Sequence, residues 1–122
     1  MKIFIAHSSN YDFKKELYEP LRDSSLDKEH KIILPQGKGF ETITRDVING
    51  CDLLVAEISY PSTGLGIELG WADVAKIPAI GVYKEGTRPS PAVNKMIKDF
   101  IIYNDADDMI NKLREYISNL KK

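Results

Sequence analysis

The chain is poor in metal-binding and redox-active side chains, with one cysteine, Cys51, and two histidines, His7 and His30, among 122 residues. A lone cysteine excludes an intrachain disulfide, and two distant histidines do not supply the close Cys/His pairs of a structural zinc site. No metal and no cofactor are expected. Charge of one sign is lacking as well. Lys plus Arg number 17 against 18 Asp plus Glu, for a formal net charge of −1, so no global field draws the chain to nucleic acid or to an anionic membrane. Neither is expected as a partner. Long apolar runs are also missing, since nothing approaches the roughly 18 residues that span a bilayer. The apolar stretch near the start, Ile3 to Ala6, is shorter than the hydrophobic region of a secretory signal. A cytoplasmic location is the expectation. With 43% hydrophobic residues, one core and one domain over residues 1–122 fit this length.

What is present alternates. Ile3 to Ala6 reads as a strand, closed by the turn and capping residues His7-Ser8-Ser9-Asn10. Phe13, Leu17, Tyr18 and Leu21 follow at helical spacing between Tyr11 and Arg22, with Pro20 expected to kink the helix or mark its last turns. Lys31 to Leu34 reads as a second strand, ended by Pro35-Gln36-Gly37-Lys38-Gly39. A second helix is expected from about Glu41 to Asn49, with Ile43, Val47 and Ile48 facing inward and Gly50 stopping it. Asp52 to Ser59 is almost continuously apolar, the signature of a strand covered on both faces. A helix through Leu69, Trp71, Ala72 and Ala75, a strand at Pro78 to Tyr83, a loop at Glu85 to Pro91 and a short helix at Ala92 to Lys98 come next. Phe100 to Tyr103 gives a last strand, and an amphipathic helix begins at Asp105.

Five strands alternating with helices imply an α/β three-layer sandwich around a five-stranded parallel sheet, and the flavodoxin-like (Rossmann-like) strand order is expected. In such sheets ligands bind beyond the carboxyl ends of the strands, where strand order reverses. The loops to watch are His7 to Asn10, Pro35 to Gly39, Ser59 to Glu68 and Lys84 to Pro91.

The segment from Ser59 to Gly70 carries most of the chemical information. It is not a dinucleotide fingerprint, because Gly64-x-Gly66 is followed by Gly70 four residues later and the segment follows the third strand rather than the first. It is not a P-loop, because no Gly-Lys-Ser/Thr follows. The pattern reads as a strand end, a Pro-Ser turn, two glycines and a glutamate, Glu68, in the first turn of a helix. The positive end of the helix dipole favours an ionised carboxylate there, which suits a nucleophile and equally suits plain helix stabilisation. Spacing alone leaves both roles open.

Arg45-Asp46-Val47-Ile48-Asn49-Gly50-Cys51-Asp52-Leu53-Leu54-Val55-Ala56-Glu57-Ile58-Ser59, followed by Pro61-Ser62-Thr63-Gly64-Leu65-Gly66-Ile67-Glu68-Leu69-Gly70, resembles the nucleoside 2-deoxyribosyltransferase family. The likeness is strongest to its deoxynucleoside 5'-monophosphate N-glycosidase branch. The resemblance implies an N-glycosidase or deoxyribosyltransferase in which Glu68 attacks the anomeric carbon and forms a covalent glycosyl-glutamate. Asp46 would then orient Glu68 or handle protons at the base. Ser62 matches a serine that contacts the substrate phosphate, with the backbone N–H groups of Gly64 and Gly66 sharing that task. His7 and Ser8, in the loop after the first strand, are candidate contacts to sugar or phosphate. Asn94 matches a polar residue sent into the neighbouring subunit's site, which implies a homodimer or larger homo-oligomer. Two departures stand out: no arginine precedes Arg22, and Ile67 takes a position where tyrosine is frequent.

Two other readings compete. Phe4-Ile5-Ala6-His7-Ser8-Ser9-Asn10-Tyr11-Asp12 also looks like the opening of Toll/interleukin-receptor (TIR) domains, some of which hydrolyse NAD with a glutamate. A non-catalytic nucleotide-binding module would keep the fold and the pocket without turnover. Glu57 is unusual near the end of a buried strand, and is expected to reach a pocket rim or pair with a lysine. Cys51 reads as a small buried hydrophobe, and Trp71 as core or subunit interface.

Overall fold

The computed structural model describes residues 1–36 and 44–120. Five strands, β1 (Lys2–His7), β2 (Lys31–Ile33), β3 (Leu53–Glu57), β4 (Ala79–Lys84) and β5 (Asp99–Tyr103), form one parallel sheet in the order β2-β1-β3-β4-β5. This is the flavodoxin-like order expected from the sequence, with the switch point between β1 and β3. Register across that point pairs Ile3 with Leu53 and ends with His7 opposite Glu57.

Side-chain alternation along the strands builds two cores. Ile3, Ile5, Leu53, Val55, Ile80 and Val82 point to one face, where they meet helices α1 (Glu19–Arg22), α2 (Ser25–Glu29) and α5 (Ala106–Leu120) through Leu21, Leu26, Met109 and Leu113. Phe4, Ala6, Leu54 and Ala56 point to the other, against α3 (Thr44–Asn49) and α4 (Thr63–Val74) through Ile48, Leu65, Leu69 and Ala72. Both faces of β3 are therefore buried, as its unbroken apolar run requires.

Pro20 shapes the first helical segment. A proline has no N–H to give to the carbonyl one turn back, and the chain arrives at it through a π-helical turn, Lys14–Tyr18, in which the Glu19 N–H reaches Lys14 O. The α-helical part, α1, then starts with Pro20 in its first turn, where no such bond is needed. Leu17, Tyr18 and Leu21 pack inward as the periodicity requires.

Several boundaries differ from expectation. The short helix α2 is absent from the sequence reading, although Ser24 and Asp27 bracket its first turn. The segment expected as a helix over Ala92 to Lys98 is a short 3-10 helix, Pro91–Lys95, capped by the Ser90 hydroxyl on the Ala92 N–H. For the helix expected from Glu41, only Thr44–Asn49 lies among the described residues, and Ile43 and the loop residues Gly37 to Gly39 lie outside them.

Candidate functional site

The carboxyl ends of β1 and β3 open into a cleft of about 340 Å³. α4 forms one wall. Its cleft-facing residues, Gly64, Ile67, Glu68 and Trp71, recur at i, i+3, i+4 and i+7, so they share one face of the helix. Leu65, Leu69 and Ala72 turn the other way into the core. The opposite wall comes from His7, Ser9 and Asn10 after β1 and from Gln36 after β2.

Ser62 fixes where α4 begins. Its backbone is extended, at φ −154° and ψ 156°, and its side-chain oxygen accepts the Leu65 N–H at 3.3 Å. That is an N-cap. The cap places Thr63 at the first helical position, and so Glu68 lies in the second turn, not the first as the sequence suggested. The glycines, read as part of a turn, are helical instead. The helix dipole acts weakly beyond the first turn, so the local favour for an ionised Glu68 is smaller than expected. Gly66 is also corrected, because its N–H already donates to Ser62 O at 3.2 Å. Gly64, at the second helical position, is among the first amides that have no acceptor inside a helix.

His7 is 5% exposed and buried against Phe13, with ring centroids 4.5 Å apart. Its Nδ1 lies 2.8 Å from Ser8 O and its Nε2 2.6 Å from the Tyr18 hydroxyl, so both nitrogens are engaged within the chain. Burial holds its pKa below the usual histidine value, opposed by the Ser8 backbone contact. The Tyr18 hydroxyl also accepts the Gln36 N–H at 3.0 Å. Burial pushes Tyr18 up to about 12, against the lowering effect of that N–H, and the negative charge of Glu68 pushes the same way. The Glu68 charge thus acts on the Tyr18 hydroxyl. The Gln36 side-chain amide donates to Ser9 Oγ at 2.8 Å and joins the loops after β1 and β2.

The remaining sequence candidates lie elsewhere. Ser8 is fully buried and its Oγ accepts the Asn10 N–H at 3.0 Å, which shapes the loop without facing the cleft. Asp46 is exposed on α3, its carboxylate 3.5 Å from Arg45 Nε, and is not among the described residues that line the cleft. Asn94 is exposed on the 3-10 turn and lies outside it as well. Among the described residues no group of acidic, histidine and cysteine side chains is arranged to hold a metal, and no helix is long and apolar enough to cross a membrane.

Glu57 finds partners other than those expected. It is 1% exposed, and its carboxylate accepts the Ser59 N–H at 2.6 Å, the Ser59 hydroxyl at 3.0 Å and the Tyr103 hydroxyl. Among the described residues it pairs with no lysine and lines neither cleft beside Ser62. Ser59 Oγ also accepts the Lys84 N–H at 2.8 Å, so the ends of β3, β4 and β5 are tied at one point. Burial raises the Glu57 pKa above the usual carboxylate range, against the lowering contributed by Tyr103 and Ser59. Cys51 is buried as expected, its thiol directed to Val47 O, and burial raises its pKa. Trp71 is half-buried, leaning on the second core while lining the cleft.

The sequence reading missed Ser9, Asn10, Gln36 and Tyr18. The first three lie in loops already marked by the strand-end rule, and a polar residue just past a parallel strand was the available signal. Nothing local marked Tyr18, which reads as an ordinary core position.

No family model matches the chain. Over 39 residues it is 46% identical to a protein of Syntrophotalea carbinolica assigned as 2'-deoxynucleoside 5'-phosphate N-hydrolase 1, a stretch that covers 32% of this chain and 28% of that protein's length. The structure of the CMP N-glycosidase of Clostridium botulinum is similar at a TM-score of 0.69 and 23% identity, covering 95% of this chain and 99% of that one. A conserved protein of Enterococcus faecalis V583 is similar at a TM-score of 0.60 and 16% identity, with 95% and 98% covered. The two structural likenesses establish the fold over nearly the whole chain.

Proposed function

We propose that this chain cleaves the N-glycosidic bond of (deoxy)nucleoside 5'-monophosphates, with Glu68 as the nucleophile. The observation that carries this reading is that Glu68, Ser62 and Gly64 line one cleft at the switch point of the sheet. The names of the Syntrophotalea and Clostridium proteins, each a nucleotide N-glycosidase or N-hydrolase, support it.

The chemistry follows from the geometry of the wall. A phosphate at Ser62 and the Gly64 N–H, at the start of α4, places the sugar further along the same helix face, beside Glu68. A Glu68 oxygen then forms a bond to C1' as the C1'–N bond breaks, and the electron pair leaves with the base, which takes up a proton. Water attacks C1' of the resulting glycosyl ester in the second step, loses a proton, and returns Glu68 to its carboxylate form. Ile67 and Trp71 flank the reacting carbon with apolar surface. Asp46 is assigned the proton at the departing base, and Asn94 a contact in the site of a second copy of the chain; both assignments rest on the sequence likeness. His7 and Ser8 act by holding the loop that presents Ser9 and Asn10.

The test is base release from the deoxynucleoside 5'-monophosphates, followed by chromatography, for the wild type and Glu68→Gln. Release by the wild type with a loss of at least about 1000-fold in the variant supports the reading. Equal rates in both proteins remove Glu68 as nucleophile, and binding of nucleotide without any release identifies a non-catalytic module.

A further inference from the structure

A second cleft, of about 380 Å³, also has Ser62 in its lining. Ile58, Leu65, Val93 and Met96 give it an apolar wall, and Ser62 lines both hollows, so the two meet at that side chain. The second cleft carries no charged residue among those lining it. It is therefore poorly suited to a free phosphate and well suited to an uncharged apolar or aromatic group, for which Met96 supplies an adaptable surface.

Gly66 lines this cleft and is otherwise unexplained. Glycine within a helix is destabilising relative to alanine. Its φ is not positive, and a Cβ built on it meets nothing within 4 Å. Gly81 shows the contrast, since a Cβ there would come to 3.0 Å from Ile58 and Phe100. Among the described residues neither the backbone nor the packing requires glycine at 66, which lines the second cleft.

We propose that the second cleft receives a group attached to the far side of the substrate's 5'-phosphate. The substrate class is then a nucleotide whose phosphate carries an apolar or aromatic group in ester or anhydride linkage. This inference rests on the reading that Ser62 receives the phosphate and that the sugar lies toward Glu68. With the sugar on the Glu68 side, a substituent on the opposite phosphate oxygen has the second cleft as its direct path.

The experiment compares the deoxynucleoside 5'-monophosphate cleaved fastest with its phenyl phosphodiester, using the full chain. The ester is expected to release base with a KM at or below that of the monophosphate. Ala92→Trp and Met96→Trp, which fill the second cleft from the 3-10 turn and just beyond it, are expected to raise the ester's KM at least tenfold while the monophosphate constants stay within twofold. An ester left intact while the monophosphate is cleaved overturns the proposal, as do equal effects on both substrates. A shift in oligomeric mass caused by these substitutions, with both substrates unaffected, overturns it in favour of a second copy seated there. Calorimetry of ester binding to Glu68→Gln separates the two readings. Base release absent from the wild type with either substrate, together with tryptophan-sensitive ester binding by Glu68→Gln, counts against the glycosidase reading alone, and absent ester binding counts against this one.

Discussion

The Tyr18 hydroxyl and His7 Nε2 lie 2.6 Å apart, and the hydrogen bond between them can run in only one direction. The Ser8 carbonyl at Nδ1 can only accept, so Nδ1 carries the imidazole proton. Burial favours the neutral ring, in which Nε2 accepts and Tyr18 donates. The same phenolic oxygen receives the Gln36 N–H. One hydroxyl thus joins the loops after β1 and β2, which together form the cleft wall facing Glu68.

Tyr18→Phe removes this joint while keeping the ring. It leaves His7 Nε2 and the Gln36 N–H without their partner, and unmet groups of this kind cost about 1–3 kcal/mol. Urea unfolding should show that loss. The KM for nucleotide should rise more than kcat falls, because Gln36 and the His7 loop line the cleft while Tyr18 takes no part in bond breaking.

Ser62→Ala carries two separable effects. Loss of the cap should destabilise the protein by about 1 kcal/mol, read by thermal unfolding. The KM for a monophosphate should also rise while that for the corresponding free nucleoside does not. A parallel rise for both substrates would show that Ser62 acts only through the helix.

Glu57 sets a pH dependence of stability. Its pKa is raised in the folded protein by burial, so the folded state holds this proton more tightly than the unfolded chain does. The associated stability is present below the unfolded value of about 4.3 and is lost as pH rises through the folded value. Wild type should therefore lose stability relative to Glu57→Gln as pH rises above about 4.3. Urea midpoints for both proteins across that range check the sign, and identical pH profiles would refute it.

The helical glycines divide by what faces them. A Cβ at Gly70 meets nothing within 4 Å, and Gly70 lines neither cleft beside Ser62. Gly70→Ala should stabilise the chain by about 0.5–1 kcal/mol with base release unchanged. Gly64 has the same open surroundings but lines the cleft with Glu68. Gly64→Ala should give a similar gain in melting temperature together with a higher KM, because its methyl group enters the space assigned to substrate.

The sheet order was legible because β3 declares itself central. Its apolar run has no polar face, and only burial on both sides permits that. The start of α4 was misjudged because Pro61, Gly64 and Gly66 all read as turn residues, whereas the Ser62 side chain starts the helix ahead of the glycines. Propensity counts residues one at a time, and a cap overrides it through a single bond. The grouping of Ser62, Gly64 and Glu68 could be anticipated because α4 and its cap carry all three. The partners of Glu57 could not, since Tyr103 is 46 residues away in sequence and meets it only once β4 has been laid between them. α2 escaped notice because five residues are too few to show a helical period.

Tyr103 belongs to the outermost strand at its end of the sheet, yet its hydroxyl reaches over β4 to the Glu57 carboxylate, which in turn holds Ser59 three positions before the helix cap. The rim of the sheet and the loop preceding α4 are therefore mechanically linked through the Glu57 carboxylate. A strand, peptide or neighbouring molecule that displaced β5 would tug on the backbone leading to Ser62 without ever entering the cleft.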